Sequence, residues 1–312
     1  MTAVNSTRTA DALDAFRGDR TYLGADHRRN ERRTWIVTGI CTLTLAAQVA
    51  GGLAFRSMAL TAAGLHMAAH VAALVVAAGA YAFSRRHARD PRFSFGAGKL
   101  GYLAGFTNAV LLAVTAVLIA VQSIQRLLAP QAVDYDQAIG LAAAGLAVTL
   151  LCAWLLKPRR QSSEDINISV AHLHLTADAL VGVLALAGLA AGRALGWGWA
   201  DPVAGLAGAF LVGHFAVRLI LGAAGALLDM NPSSELTSEI RRRLQAQGET
   251  VLDLHLWRLG PGHHAAVAVV RAAAPLPAEA YHDRLRDIAG LSHVTVEVRG
   301  PGAADSHRHS DA

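Results

Sequence analysis

Residues 100–124 read LGYLAGFTNAVLLAVTAVLIAVQSI and contain no Asp, Glu, Lys or Arg. A bilayer core about 30 Å thick needs roughly 20 apolar residues in an α-helix, so this run is long enough to cross one. Its apolar positions do not alternate as in a barrel strand. Hydrocarbon offers no water to unpaired backbone groups, so a helix is predicted. Five further runs of the same texture occupy residues 34–53, 57–83, 137–156, 168–195 and 202–228. The chain of 312 residues is 53% hydrophobic and only 16% charged, against about 25% charged in a soluble domain. The reading is a membrane all-α bundle of six transmembrane helices.

Basic residues occupy alternate connections. The N-terminal segment holds Arg8, Arg17, Arg20, Arg28, Arg29, Arg32 and Arg33. The second loop holds Arg85, Arg86, Arg89, Arg92 and Lys99, and the fourth Lys157, Arg159 and Arg160. The remaining loops carry the isolated Arg56, Arg126 and Arg193. Positive loops stay inside, which places both termini in the cytoplasm and the bundle in a bacterial-type inner membrane. The net charge of +5 is thus a matter of topology, and no nucleic-acid partner is expected. Residues 1–33 are read as a polar cytoplasmic segment with no cleavable signal peptide. Cys41 and Cys152 lie in apolar runs and are read as packing residues, neither a disulfide nor a metal pair.

The texture changes at Asn231. Residues 233–248 have helical spacing, with Glu235, Glu239, Arg241 and Arg242 on the polar side. Residues 250–259 and 265–271 read as strands joined by the turn signal Gly260-Pro261-Gly262. Residues 277–289 form a second amphipathic helix and 293–298 a third strand. Helix, strand, strand, helix, strand predicts a small α+β domain of ferredoxin-like type over residues 232–300. The transmembrane domain spans 34–228, and the tail 301–312, with His307 and His309, is expected to be solvated and disordered.

Ionisable groups inside a membrane helix are costly and mark a substrate or ion path by default. The second run contains His66-Met67-Ala68-Ala69-His70, and the fifth His174-Leu175-Thr176-Ala177-Asp178. Each pair is spaced i, i+4, so its members share a face one turn apart. The pairs fall at similar depth. Three imidazoles and one carboxylate make the four ligands of a tetrahedral transition-metal site. Imidazole suits zinc, cobalt, nickel and copper, and the donor types do not rank cobalt, nickel and zinc. Histidines must shed protons to bind metal, which links binding to proton release. His172 points to a different face, His214 is alone, and Asp201 before Pro202 reads as an N-cap. Asn108 is either a hydrogen-bonding group near the path or helix-to-helix glue. A zinc protease would need Glu directly after the first histidine. Met67 stands there, so an enzyme is not expected.

At these residues the chain resembles the cation diffusion facilitator family of divalent-metal efflux transporters. The likeness extends to Phe93-Ser94-Phe95-Gly96-Ala97-Gly98-Lys99, Gly196-Trp197 through Asp201-Pro202, and Leu254-His255-Leu256-Trp257. His66 and His70, with Asn30-Glu31-Arg32-Arg33-Thr34 and His87-Ala88-Arg89-Asp90-Pro91-Arg92, resemble its cobalt and nickel branch. The resemblance implies a homodimer that exports Co2+, Ni2+ or Zn2+ against protons by alternating access. The metal is cargo, and no cofactor is implied. His66, His70, His174 and Asp178 would hold the ion. His255, His293 and His264 form a possible second metal site in the cytoplasmic domain, although the family's usual ligands are not matched at Ala268 or Arg299. Departures are a short loop at 157–167 without histidine, and Gln48, Ala63 and Gln122 where this branch carries acidic residues. A membrane metal sensor and a degenerate, non-transporting paralogue are the alternatives.

Overall fold

Buried backbone N–H and C=O groups must be paired, and in an apolar segment a helix pairs them all internally. The structure, a computed structural model, describes residues 22, 26–54, 58–130, 133–158 and 165–301, apart from the side chains of 52 and 58–66. The polar segment up to residue 21, Arg56, Arg159, Arg160, most of the 157–167 loop and the tail with His307 and His309 lie outside the described residues, as does the side chain of Ala63. Six long helices follow one another: α1 His27–Ala54, α2 Met58–Arg86, α3 Leu100–Leu128, α4 Tyr135–Leu156, α5 Ile166–Leu195 and α6 Ala200–Leu227. All six are long and apolar enough to cross a membrane. Many of the threonine hydroxyls inside them turn back onto their own helix. Thr34, Thr38 and Thr42 of α1 each donate to the carbonyl four residues earlier, at 2.8 Å, which satisfies these hydroxyls without water. Large apolar side chains such as Leu43, Trp154, Phe210 and Leu221 point outward instead.

The ends of the helices carry the ion pairs. Arg85 of α2 grips Glu31 of α1 through two bonds of 2.9 and 3.0 Å. Arg126 pairs with Asp201 at 2.9 Å and Arg193 with Asp136 at 2.7 Å, which explains why these isolated arginines sit where few others do. Asp201 is therefore not an N-cap. Trp199 already has helical dihedrals and precedes the first residue of α6, so the helix begins earlier and leaves the Asp201 carboxylate free to reach α3. In the loop before α3, the Arg92 guanidinium holds the Asp90 carboxyl down at about 2. Lys99 pairs with Asp229, just beyond α6.

The C-terminal domain follows: α7 Ser234–Leu244, β1 Thr250–Gly260, β2 His263–Arg271, α8 Ala278–Leu285 and β3 Leu291–Arg299. β1 and β2 are antiparallel and β2 and β3 parallel, in the order β1-β2-β3. The parallel pair needs a crossover, which α8 supplies. Ile240, Leu244, Leu256, Val270, Tyr281 and Leu285 make one core between helices and sheet. The domain is ferredoxin-like, as the element order predicts.

It docks on the bundle through main chain. Tyr22, Leu259 and Ala265 form a small buried cluster, and Phe95 sets its ring edgewise against Trp257 and His293 at 5.7 and 5.6 Å. A Cβ on Gly98 would collide with the Leu259 carbonyl and come within 2.8 Å of the Tyr22 carbonyl. Only glycine permits so close an approach. Gly98→Ala is expected to loosen the domain and to speed limited proteolysis between α6 and α7 several-fold while the bundle survives. Unchanged cleavage would contradict this account of the docking.

Candidate metal centre

The i, i+4 spacing on α5 places His174 and Asp178 on one face, and α2 brings His70 against them. Asp178 Oδ2 lies 3.2 Å from His174 Nε2 and 3.4 Å from His70 Nδ1. The side chains are 5%, 8% and 6% exposed for His70, His174 and Asp178. The two imidazole rings stand edge to face, with centroids 5.3 Å apart. One ligand atom from each residue fits within 4.8 Å of the others. Metal bonds of about 2.0–2.2 Å at the tetrahedral angle put ligand atoms about 3.3 Å apart, which is the spacing seen around Asp178. His66 lies one turn earlier in α2, and its side chain is outside the described residues.

Local packing explains why these three converge. Leu74, Met67, Ala171 and Leu175 belong to one apolar cluster that also buries Cys41 and Cys152. Those thiols are not joined in a disulfide and lie 3.8 Å apart. A small pocket beside the cluster, with room for about one water molecule, is lined by His70, Leu74, Asn108, Ala171, His174 and Leu175 among others. Asn108 is 1% exposed, and its Oδ1 has no hydrogen-bond partner among the described residues. The residue therefore belongs to the site's wall. Its position in a long apolar run was the available signal, but periodicity does not say which neighbour it faces.

The other candidates fall elsewhere. His172 turns to the Ala153 carbonyl of α4 at 2.9 Å. His214 is exposed beside Phe215. Gln122 is exposed on α3, away from the three ligands, whereas Gln48 Oε1 is buried without a hydrogen-bond partner among the described residues. The histidines of the C-terminal domain are not assembled. His255 bonds Asp253 at 2.8 Å on an exposed stretch of β1. His264 sits in register with Arg258 and Leu291, and His293 with Ala265. Among the described residues only His70, His174 and Asp178 form a group of three or more residues that could hold a metal ion.

The chain matches the cation efflux transmembrane domain over residues 34–228. It is 32% identical over 276 residues to zinc transporter ZitB of Escherichia coli, covering 86% of this chain and 87% of the relative. ZitB of Yersinia pestis is 29% identical over 276 residues, at 86% and 88% coverage. A cadmium, cobalt and zinc/H(+)-K(+) antiporter of Bacillus subtilis is 25% identical over 300 residues, at 93% and 95% coverage. The ligand spacing predicts that Co2+ added to the purified protein gives the intense visible bands of a tetrahedral complex, and that Asp178→Ala removes them. The pale spectrum of an octahedral ion in the unmodified protein would contradict the spacing.

Proposed function

We propose that this chain, which belongs to the cation diffusion facilitator family of divalent-metal efflux transporters, carries Zn2+, Co2+ or Ni2+ out of the cytoplasm in exchange for protons. The observation that carries the proposal is a carboxylate flanked by two imidazoles inside a six-helix membrane bundle. Two of the relatives are named for zinc, and one for cadmium, cobalt and zinc with H(+)-K(+) antiport. His70, His174 and Asp178 hold the dehydrated ion, and His66 supplies the fourth ligand from the next turn of α2. A dehydrated dication in the bundle needs charge and lone pairs around it, and Asp178 supplies the only formal negative charge in that set.

Imidazole binds metal only when neutral, so loading releases protons and reprotonation expels the metal. Alternating access then needs two states, each exposing the same ligands to one side. The arginine-rich connections support a sidedness in which both termini and the ferredoxin-like domain are cytoplasmic. The transporting unit is a homodimer in a bacterial-type inner membrane. Three neutral imidazoles with one carboxylate leave a dication only partly compensated, which favours histidine-binding transition metals over Mg2+ or Ca2+.

The test is uptake into inside-out vesicles with an acid lumen, run with Zn2+, Co2+, Ni2+ and Mn2+ in parallel. Zn2+ and Co2+ or Ni2+ are expected to accumulate, Mn2+ weakly. His70→Ala and Asp178→Ala are each expected to reduce accumulation at least about 100-fold, beyond the 10–100-fold typical of a residue that only supports a ligand. Absence of uptake by folded protein that still binds metal would overturn transport and leave a metal sensor or a non-transporting paralogue.

A further inference from the structure

Two stripes face each other between the metal centre and the end of the bundle that carries the C-terminal domain. On α2, His70, Leu74, Ala77 and Tyr81 recur at helical spacing; on α5, Asn167, Ala171, His174 and Asp178 do the same. The helices run in opposite directions, so the stripes pair level by level. His70 meets His174 and Asp178. Leu74 and Ala171 line the same small pocket. The Ala77 carbonyl accepts from Asn167 Nδ2 at 2.9 Å. At the last level the Tyr81 hydroxyl donates to Asp165 Oδ2 at 2.7 Å.

Asp165 gathers more than Tyr81. The same Oδ2 accepts from Asn30 Nδ2 of α1 at 2.9 Å, while Oδ1 accepts from the backbone amides of Asn167 and Ile168 at 3.1 and 3.4 Å. One carboxylate thus ties α1, α2 and α5 together. It is 6% exposed, with Asn30 at 1% and Tyr81 at 3%, and it has no ion-pair partner among the described residues. Beyond it lies a second small pocket, with room for about one water molecule, lined by His27, Tyr81, Ser84, Asp165 and Asn167 and reaching Pro261 of the C-terminal domain. Asn167 Oδ1 is buried without a hydrogen-bond partner among the described residues. The carboxylate therefore stands between a vestibule on the domain side and a lane of small and apolar residues ending at the ligands.

We propose that Asp165, held by Tyr81 and Asn30, is a latch that closes the lane between the vestibule and the metal centre. The inference rests on the transport reading and names the residues that gate it on the domain side. Both lateral partners of the carboxylate are neutral donors, so an arriving dication competes for Oδ2 with a full charge. Binding there withdraws the carboxylate from Tyr81 and Asn30, and α1 and α2 are released from α5. Asp165 acts through these contacts; it positions the helices and does not join the ligand set of the centre.

The test places a reporter in the lane. Ala171→Cys, made with Cys41→Ser and Cys152→Ser, is labelled with a membrane-impermeant cationic methanethiosulfonate, separately from the domain face and from the opposite face. Adding Tyr81→Phe with Asn30→Ala removes two hydrogen bonds to a charged group and is expected to speed labelling from the domain face about tenfold or more, with no rise from the opposite face. Tyr81→Phe alone keeps the ring and carries the test, at about threefold or more, where the double variant does not fold. Equal rates with and without the substitutions, or a rise from both faces as a loosened fold would give, overturn the latch. Zn2+ uptake by the unmodified chain decides transport separately. Uptake with unchanged labelling removes the latch and leaves the transporter; absent uptake removes the transporter whatever the labelling shows.

Discussion

The scarcity of water in the bilayer core governs this molecule. It forces the six long runs into helices, because a helix is the arrangement that satisfies every backbone group within one segment. It turns the hydroxyls of Thr34, Thr38 and Thr42 back onto their own carbonyls. It moves the guanidinium groups to the helix ends, where Arg85, Arg126 and Arg193 find carboxylates. Against that background every polar group held deep in the bundle demands a reason. The reasons form a short series: Asp165 near one end, Asn167 and Asn108 along the way, and His70, His174 and Asp178 at the centre.

Much of this was legible in the sequence because the governing signals are local. Run length gave the helices, and i, i+4 spacing gave the two ligand pairs. Texture after Asn231 gave the ferredoxin-like domain, strand by strand. What was not legible depends on partners distant in the chain. The run 34–53 starts late because residues 27–33 are polar, yet α1 begins at His27. Asn30 and Glu31 are satisfied by Asp165 and Arg85, from elsewhere in the chain. Asp201 looked like a cap because a following proline favours that position; its partner on α3 is invisible to any local pattern. Asp165 lay outside the predicted run and in a polar connection, where an aspartate needs no explanation. Only folding shows that it is buried and shared among three helices.

The C-terminal domain meets the bundle at Tyr22, Gly98 and Gly260, where main chain touches main chain. Phe95, Trp257 and His293 cover that contact with ring edges. Such a joint carries little charge, so salt screens it weakly. The loop between α2 and α3 is thereby attached to the sheet at one end and to the α2 stripe at the other. The vestibule includes Pro261 from the domain's β-turn, so any displacement of the domain alters the wall of that chamber directly.

The pairing of α2 with α5 has a mechanical side. An α-helix of this length is a stiff rod, and His70 and Tyr81 sit on it about 16 Å apart. Between them, the Ala77 carbonyl is fastened to Asn167 by one hydrogen bond. A rod fastened part-way along behaves as a seesaw: tilting it away from α5 at Tyr81 tilts it toward α5 at His70. With the fulcrum nearer Tyr81, a small swing at that end becomes a larger one at the metal ligands. The domain-side end of the bundle and the metal centre are then geared together by one side-chain amide.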